Sequence, residues 1–411
     1  MATACLDDTL IDPGLFPAHH GPPHALFDLW RSRDPVHWNP PNPGYAPPMP
    51  GMRLDKGFWV LTRYKDVFDV SMNQDLFSSY EAGIVVWDAD EQELAVQRAN
   101  FMVMRPADHA AVRRVLSAPF TPRALAALTP QIEALATQIV DAVAPRGTCE
   151  FVSEVAARLP IYTFCELMGI PPALRDRVAE LGNAVADVET RAARETDPML
   201  GLAAIAMELA AEKRRKPDGL LMSAMVNDTT LNLSDMAIAQ FFMVFAMAGH
   251  ETTRSTAVHF FELMSRFPEQ YALLREDFDG RIDNAIDEVL RYTSTTTNFC
   301  RTATQDTVIG GCKVSAGDKI YMSYAAANRD PAVFEDPHRF DILRPNAKRH
   351  LAFGAGPHVC LGARLARIQL RALIGEVVRR LPDIRPVGEP EWLRSIWFNA
   401  IIRMPVAFTP A

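Results

Sequence analysis

The sequence is poor in cysteine: six in 411 residues, scattered as Cys5, Cys149, Cys165, Cys300, Cys312 and Cys360, with no Cys-x-x-Cys pair. That pattern excludes a disulfide framework and a structural zinc site. Positive charge is not in excess either, because 42 lysines and arginines face 50 acids for a net charge of -8. General attraction to nucleic acid or to an anionic membrane surface is therefore excluded. Long hydrophobic runs are missing as well. The most apolar stretch, from Met236 to Gly249, contains Gln240 and meets His250 and Glu251 at its end. It falls short of the roughly 20 residues a membrane span needs and reads as a buried core helix, so no membrane anchor is expected. The opening MATACLDDTLIDPGLF puts acids where a secretory signal carries positive charge, which points to the cytoplasm. No internal repeat or linker interrupts the chain.

What is present is a helix-rich texture with 48% hydrophobic residues. Residues 1 to 58 are proline-rich and predict an irregular segment packed on the body, with Asn39-Pro40-Pro41-Asn42-Pro43-Gly44 as its clearest run. From Gly57 a strand over Phe58 to Thr62 passes into a helix carrying Val67, Phe68 and Val70. Residues 78 to 105 predict a long loop with a helical turn or two. From Pro106 to about Leu290 the pattern is helical, with Pro119, Pro130, Pro145, Pro171, Pro172 and Pro217 as breaks. Ser234 is placed to cap a helix reaching about Phe267. Short strands follow at Thr307 to Gly310 and Lys319 to Ser323, then a glycine-rich loop, one more helix, and a terminal strand-like stretch from Ile401 to Phe408.

The most informative segment is His350-Leu-Ala-Phe-Gly-Ala-Gly-Pro-His-Val-Cys-Leu-Gly-Ala-Arg-Leu-Ala-Arg367. Gly354, Gly356 and Gly362 crowd around Cys360, and a helical pattern begins just after it. Unpaired N–H groups and the positive dipole end near a helix start favour a thiolate. Glycines let the backbone approach a flat macrocycle. A thiolate is one of the few axial ligands that proteins give to haem iron. The alternative is a buried structural cysteine beside a glycine turn.

This segment resembles the haem-binding loop of the cytochrome P-450 family, of the form Phe-x-x-Gly-x-(Arg/His)-x-Cys-x-Gly, at Phe353, Gly356, His358, Cys360 and Gly362. The resemblance implies a mainly α fold with small β-sheets, a single triangular domain over residues 1–411, and haem b (iron protoporphyrin IX) as cofactor. It implies Cys360 as the iron ligand, Phe353 beside its sulfur, Gly354 and Gly356 shaping the cofactor loop, and His358 at a propionate. Pro357 is an oddity, since it removes a backbone donor.

Three further segments fit the same family. Ala248-Gly249-His250-Glu251-Thr252-Thr253-Arg254 resembles its oxygen-activation motif, where the helix opens beside the small pair and an acid and an alcohol, here Glu251 and Thr252, deliver protons as catalytic groups. A threonine bonding back to its own helix is the alternative. Glu288 and Arg291, three apart on a helix, resemble a structural triad completed by Arg339 of Pro337-His338-Arg339-Phe340. His109 and Arg113, four apart on one helix face, with Arg301, resemble propionate ligands.

Among bacterial members the likeness is nearest to the soluble, ferredoxin-dependent group that oxidises terpenes and sterols. It implies a monooxygenase that inserts one atom of O2 into a hydrophobic small molecule, a terpenoid, steroid or aromatic hydrocarbon. Alternatives are a haem-thiolate peroxygenase or isomerase, and a haem-based ligand binder without turnover. By family position the substrate contacts are Val85, Val86, Phe245, Ala248, Thr296 and Trp397. Thr295-Thr296-Thr297-Asn298 departs from the relatives' proline and aliphatic residue, so a hydroxyl or amide is expected to meet a polar group on the substrate. The chain length leaves no room for a fused reductase. Electrons are expected from a two-iron ferredoxin with its ferredoxin reductase, docking where Arg344 to Arg380 hold eight cations against Glu376 alone.

Overall fold

In the computed structural model, residues 9–10, 21–42, 53–186 and 197–411 are described. The proline-rich run 43–52 and most of residues 1–20 lie outside them. The chain divides into two compact units. The first comprises Met1–Gln97, Val258–Cys360 and Arg385–Met404; the second comprises Arg98–Ala257, Leu361–Ile384 and Pro405–Ala411.

In the first unit a five-stranded sheet runs in the order Val36–Asn39, Phe58–Leu61, Lys319–Ser323, Asn298–Ala303, Phe77–Ser78. Phe58–Leu61 and Lys319–Ser323 are parallel, and the other neighbours are antiparallel. Alternation feeds two cores: Phe58, Val60 and Tyr321 join Leu26, Phe27 and Trp30, while Leu61, Ile320 and Met322 join Val67, Val70 and Phe77. Lys319–Ser323 is buried along its whole length, as expected of a strand covered on both faces. One expectation needs correction. Part of the proline-rich segment is regular, with a helix over His24–Arg33 and a strand over Val36–Asn39, because Leu26, Phe27 and Trp30 share one buried helix face. The stretch 78–105 carries its expected helical turns as a short helix at Glu91–Gln97 and a 3-10 turn at Phe101–Val103.

The second unit is helical. Pro106, Pro122 and Pro198 each open a helix, where the missing N–H is harmless. Pro130, expected to break the chain, instead lies inside the helix Pro122–Val143. Burial of Ile132, Leu135, Ala136, Ile139 and Val140 beyond it, against the helix Ala363–Arg380, outweighs the lost hydrogen bond. The long helix spans Asp235–Arg266, and the boundary between the units falls within it, after Ala257. Ser234 Oγ accepts the Ala237 N–H at 3.2 Å, so the expected cap is formed. Among the described residues no helix is long and apolar enough to cross a membrane.

Candidate functional site

The glycine-rich loop belongs to the first unit. Gly354 and Gly356 hold φ of +68° and +67°, the left-handed region that side chains disfavour. A Cβ on Gly356 would stand 2.4 Å from the Ser71 carbonyl oxygen, so this glycine lets the loop lie against the helix Tyr64–Met72. Pro357 sits within the first two positions of the 3-10 turn Gly356–His358, where its missing N–H has no partner to lose. That placement explains the oddity in the motif. The Cys360 N–H donates to the Phe353 carbonyl at 2.8 Å, and the Val359 N–H donates to Gly356 at 3.0 Å, closing the loop on itself. Phe353 and His358 are half-buried, and the Phe353 ring lies 5.4 Å from that of His350.

Cys360 differs from the other described cysteines. Cys149, Cys165 and Cys300 are buried, and desolvation pushes each thiol up to about 12, so they stay protonated and inert. Cys312 is half-buried; Cys360 is exposed. The helix Ala363–Arg380 starts three residues beyond it.

Arg301 tests whether an anionic cofactor fits this unit. It lies on the strand Asn298–Ala303, is buried, and donates only to the neighbouring Cys300 carbonyl at 2.7 Å. No carboxylate among the described residues pairs with it, and burial depresses its pKa. A desolvated guanidinium without a counter-ion is costly, and a carboxylate such as a haem propionate would relieve that cost. In the second unit His109 is buried, its ring parallel to Phe101 at 6.4 Å, and Arg113 is half-buried one turn later.

The Ala248–Thr252 motif lies within the long helix. Thr252 Oγ1 donates to the Ala248 carbonyl at 2.7 Å, the back-bonded arrangement. Ala248 and Gly249 are exposed, and a Cβ on Gly249 would meet nothing within 4 Å, so the small pair opens a face rather than breaking the helix. Glu251 is buried; its Oε1 accepts from Arg254 at 2.6 Å and from Ser255 at 3.1 Å, and its Oε2 has no partner among the described residues. His250, fully buried and bonded to the Ala157 backbone, is lowered to about 3, chiefly by burial.

The structural triad is real, but its third member is not Arg339. Glu288 and Arg291, both with 0% exposed side chains, form a two-pronged pair at 2.7 and 2.8 Å. The second guanidinium is Arg344, whose Nε reaches Glu288 Oε1 at 3.2 Å. Arg339 leaves its side chain 64% exposed, 3.8 Å from Asp341, and contributes only its carbonyl, which accepts from Arg291 and Arg344. The sequence places two arginines five residues apart on one turn, and only the fold decides which is turned inward. Arg344 therefore leaves the expected docking patch. Arg379 is paired with Glu376 and Arg380 with Asp141, each at 2.6 Å.

The expected substrate contacts divide. Val86 is buried in the core with Phe58, Val60 and Tyr321, which removes it from the set; Val85 is half-buried. Phe245 is half-buried and stacks on Phe101 at 5.6 Å and Phe120 at 6.3 Å. Thr297 and Asn298 spend their polar groups on the Ile396 carbonyl at 2.7 and 2.8 Å, and Trp397 Nε1 donates to the Asn298 carbonyl at 3.1 Å. Thr296, bridged through its backbone to Phe398, is half-buried with a hydroxyl that has no partner among the described residues. Of the polar run, Thr296 retains a free group.

A family model described as cytochrome P-450 matches residues 203–382. The chain is 34% identical over 400 residues to a steroid C26-monooxygenase of Mycolicibacterium smegmatis, covering 95% of this chain and 91% of that one. It is 35% identical over 372 residues to a methyl-branched lipid omega-hydroxylase of Mycobacterium tuberculosis, covering 88% and 86%. Among solved structures, a Mycobacterium marinum cytochrome P-450 in complex with pseudoionone superposes with a TM-score of 0.87 at 35% identity, covering 97% of this chain and 98% of that one.

Proposed function

The chain belongs to the cytochrome P-450 family, oxidoreductases of the monooxygenase type, and from that premise we propose that it binds haem b through Cys360 and hydroxylates a steroid, terpenoid or branched lipid. The observation that carries this reading is the loop around Cys360, in which two left-handed glycines and a self-closed backbone present the one exposed thiol among the described cysteines. When bound, haem supplies reductive activation of dioxygen, which a thiolate ligand favours. By the family resemblance Arg301, His358, His109 and Arg113 would hold its propionates. We read residues 1–411 as one haem domain, as the family resemblance implies.

The chain's own groups move protons. Thr252 donates its own hydrogen to Ala248, which leaves its oxygen free to accept one from the open side of the helix. Glu251 delivers protons through its unpartnered Oε2, with Arg254 and Ser255 holding the other oxygen. As substrate contacts, Val85 and Trp397 of the first unit offer apolar surface and Thr296 one hydroxyl, and Phe245 and Ala248 of the second unit offer apolar surface.

Electrons come from an acidic two-iron ferredoxin and its reductase, in the cytoplasm. The exposed cations between Arg344 and Arg380 are Lys348 and Arg349 in the first unit, and Arg364 and the Glu376-paired Arg379 in the second. Reduction should slow as ionic strength rises, because screening weakens steering between exposed charges. The function is tested by supplying ferredoxin, reductase and pseudoionone or a steroid. Product carrying one atom of labelled dioxygen supports it; oxygen consumption that no ligand in these classes stimulates contradicts it.

A further inference from the structure

Lys319 begins a central strand of the first unit, opposite Phe58, with only 6% of its side chain exposed. Its ammonium donates to the Val86 carbonyl at 2.8 Å, the Trp87 carbonyl at 2.8 Å and Asp88 Oδ1 at 3.2 Å. Three acceptors match its three hydrogens. Asp88 is itself fastened: its Oδ2 accepts the Lys56 N–H and its own N–H donates to the Arg53 carbonyl, both at 2.9 Å. At the other end of the stretch the Cys300 N–H donates to the Ile84 carbonyl at 2.8 Å. Residues 84–88 are thus tied to the sheet at both ends. Ile84 and Val86 point into the core, while Val85 between them stays half-buried.

A buried ammonium is expensive, and an apolar residue would fill the same place on the strand. Its presence is explained by what it holds. We infer that Lys319 is a positioning residue for specificity, fixing the 84–88 stretch so that Val85 offers the substrate a preset surface instead of one formed on binding. This rests on the reading above that the stretch faces the substrate. Preset surfaces discriminate by shape because a misfitting ligand must pay for distorting them.

The test uses the holoenzyme and its Lys319→Met variant, which keeps a long stem and removes the three donors. Amide exchange across residues 84–88 should accelerate by about tenfold or more, while the helix Phe278–Thr293 is unchanged. The probes are imidazole and clotrimazole, read from the Soret band. Imidazole affinity should hold, and the ratio of the two dissociation constants should narrow by about fivefold, the scale of one lost hydrogen bond. Unchanged exchange, or faster exchange with an unaltered ratio, would overturn the inference. A wild-type Soret band that ignores imidazole would sink the haem reading, and this inference with it. Should Lys319→Met not fold, Asp88→Asn removes only the charged acceptor and should shift both readouts in the same direction by a smaller factor; no shift overturns the inference.

Discussion

The corrected triad makes a sharp contrast between two arginines five residues apart. Arg344 is buried and gives Glu288 its second cation at 3.2 Å; it also donates to the carbonyls of Glu335, Asp336 and Arg339 at 2.6, 3.1 and 2.9 Å. Arg344→Met would take a donor from four acceptors, of which Glu288 Oε1 and the Arg339 carbonyl keep Arg291 and the Asp336 carbonyl keeps the Arg339 N–H. Breaking a buried pair costs about 3–5 kcal/mol, and because Arg291 still neutralises Glu288 the lower end, about 3 kcal/mol, is expected. Arg339, at 64% exposure and 3.8 Å from its acid, should cost at most about 0.5 kcal/mol when changed to methionine. Its carbonyl, the part that the network uses, survives the substitution. Urea unfolding of the two holo variants, followed by tryptophan fluorescence, separates the cases. Equal destabilisation, or a larger loss from Arg339→Met, would refute the assignment.

Further outcomes follow from the same geometry. Gly356→Ala combines a φ of +67° with a Cβ 2.4 Å from the Ser71 oxygen, so it should lose more than the about 1–3 kcal/mol of strain alone; Gly311→Ala, at +91° in open space, should show the strain alone in the same unfolding assay. His250 is lowered to about 3, so its neutral form is favoured by folding. Above the unfolded value of about 6.5 it has no effect, and as pH falls from there the unfolded chain binds a proton that the folded one refuses. Stability should therefore fall by about 1.4 kcal/mol per pH unit on its account between pH 6.5 and 3, and His250→Gln should flatten that limb in a pH series of urea titrations. Thr252→Ala should keep consuming reductant while forming less product and more peroxide; full coupling would contradict its role. Thr296→Val should weaken an oxygen-bearing ligand more than its hydrocarbon analogue, measured by the ferric spin shift.

Much of this architecture was legible in the sequence because local chemistry and burial agree there. The strand Lys319–Ser323 was read to the residue, and the Ser234 cap set the start of the long helix at Asp235. The failures lie where tertiary packing overrides a local signal. Pro130 reads as a break until the apolar face beyond it finds its neighbour, and His24–Arg33 hides among prolines. In the site, Cys360 and the glycines are visible by spacing, yet the place of Gly356 against Ser71 is set by tertiary packing that local spacing does not encode. Val85 and Val86 are chemically identical, so only the alternation of the backbone tells which one the core claims. The Lys319 contacts span more than 230 residues of chain and leave no pattern that periodicity could detect.

The claim on which the rest depends is a bond from the Cys360 sulfur to haem iron. The carbon monoxide complex of the reduced, haem-loaded protein measures it directly. The account predicts the red-shifted Soret band of thiolate ligation in the wild type and its loss in Cys360→Ala. A wild-type spectrum without that band, or a variant that keeps it, would contradict the account.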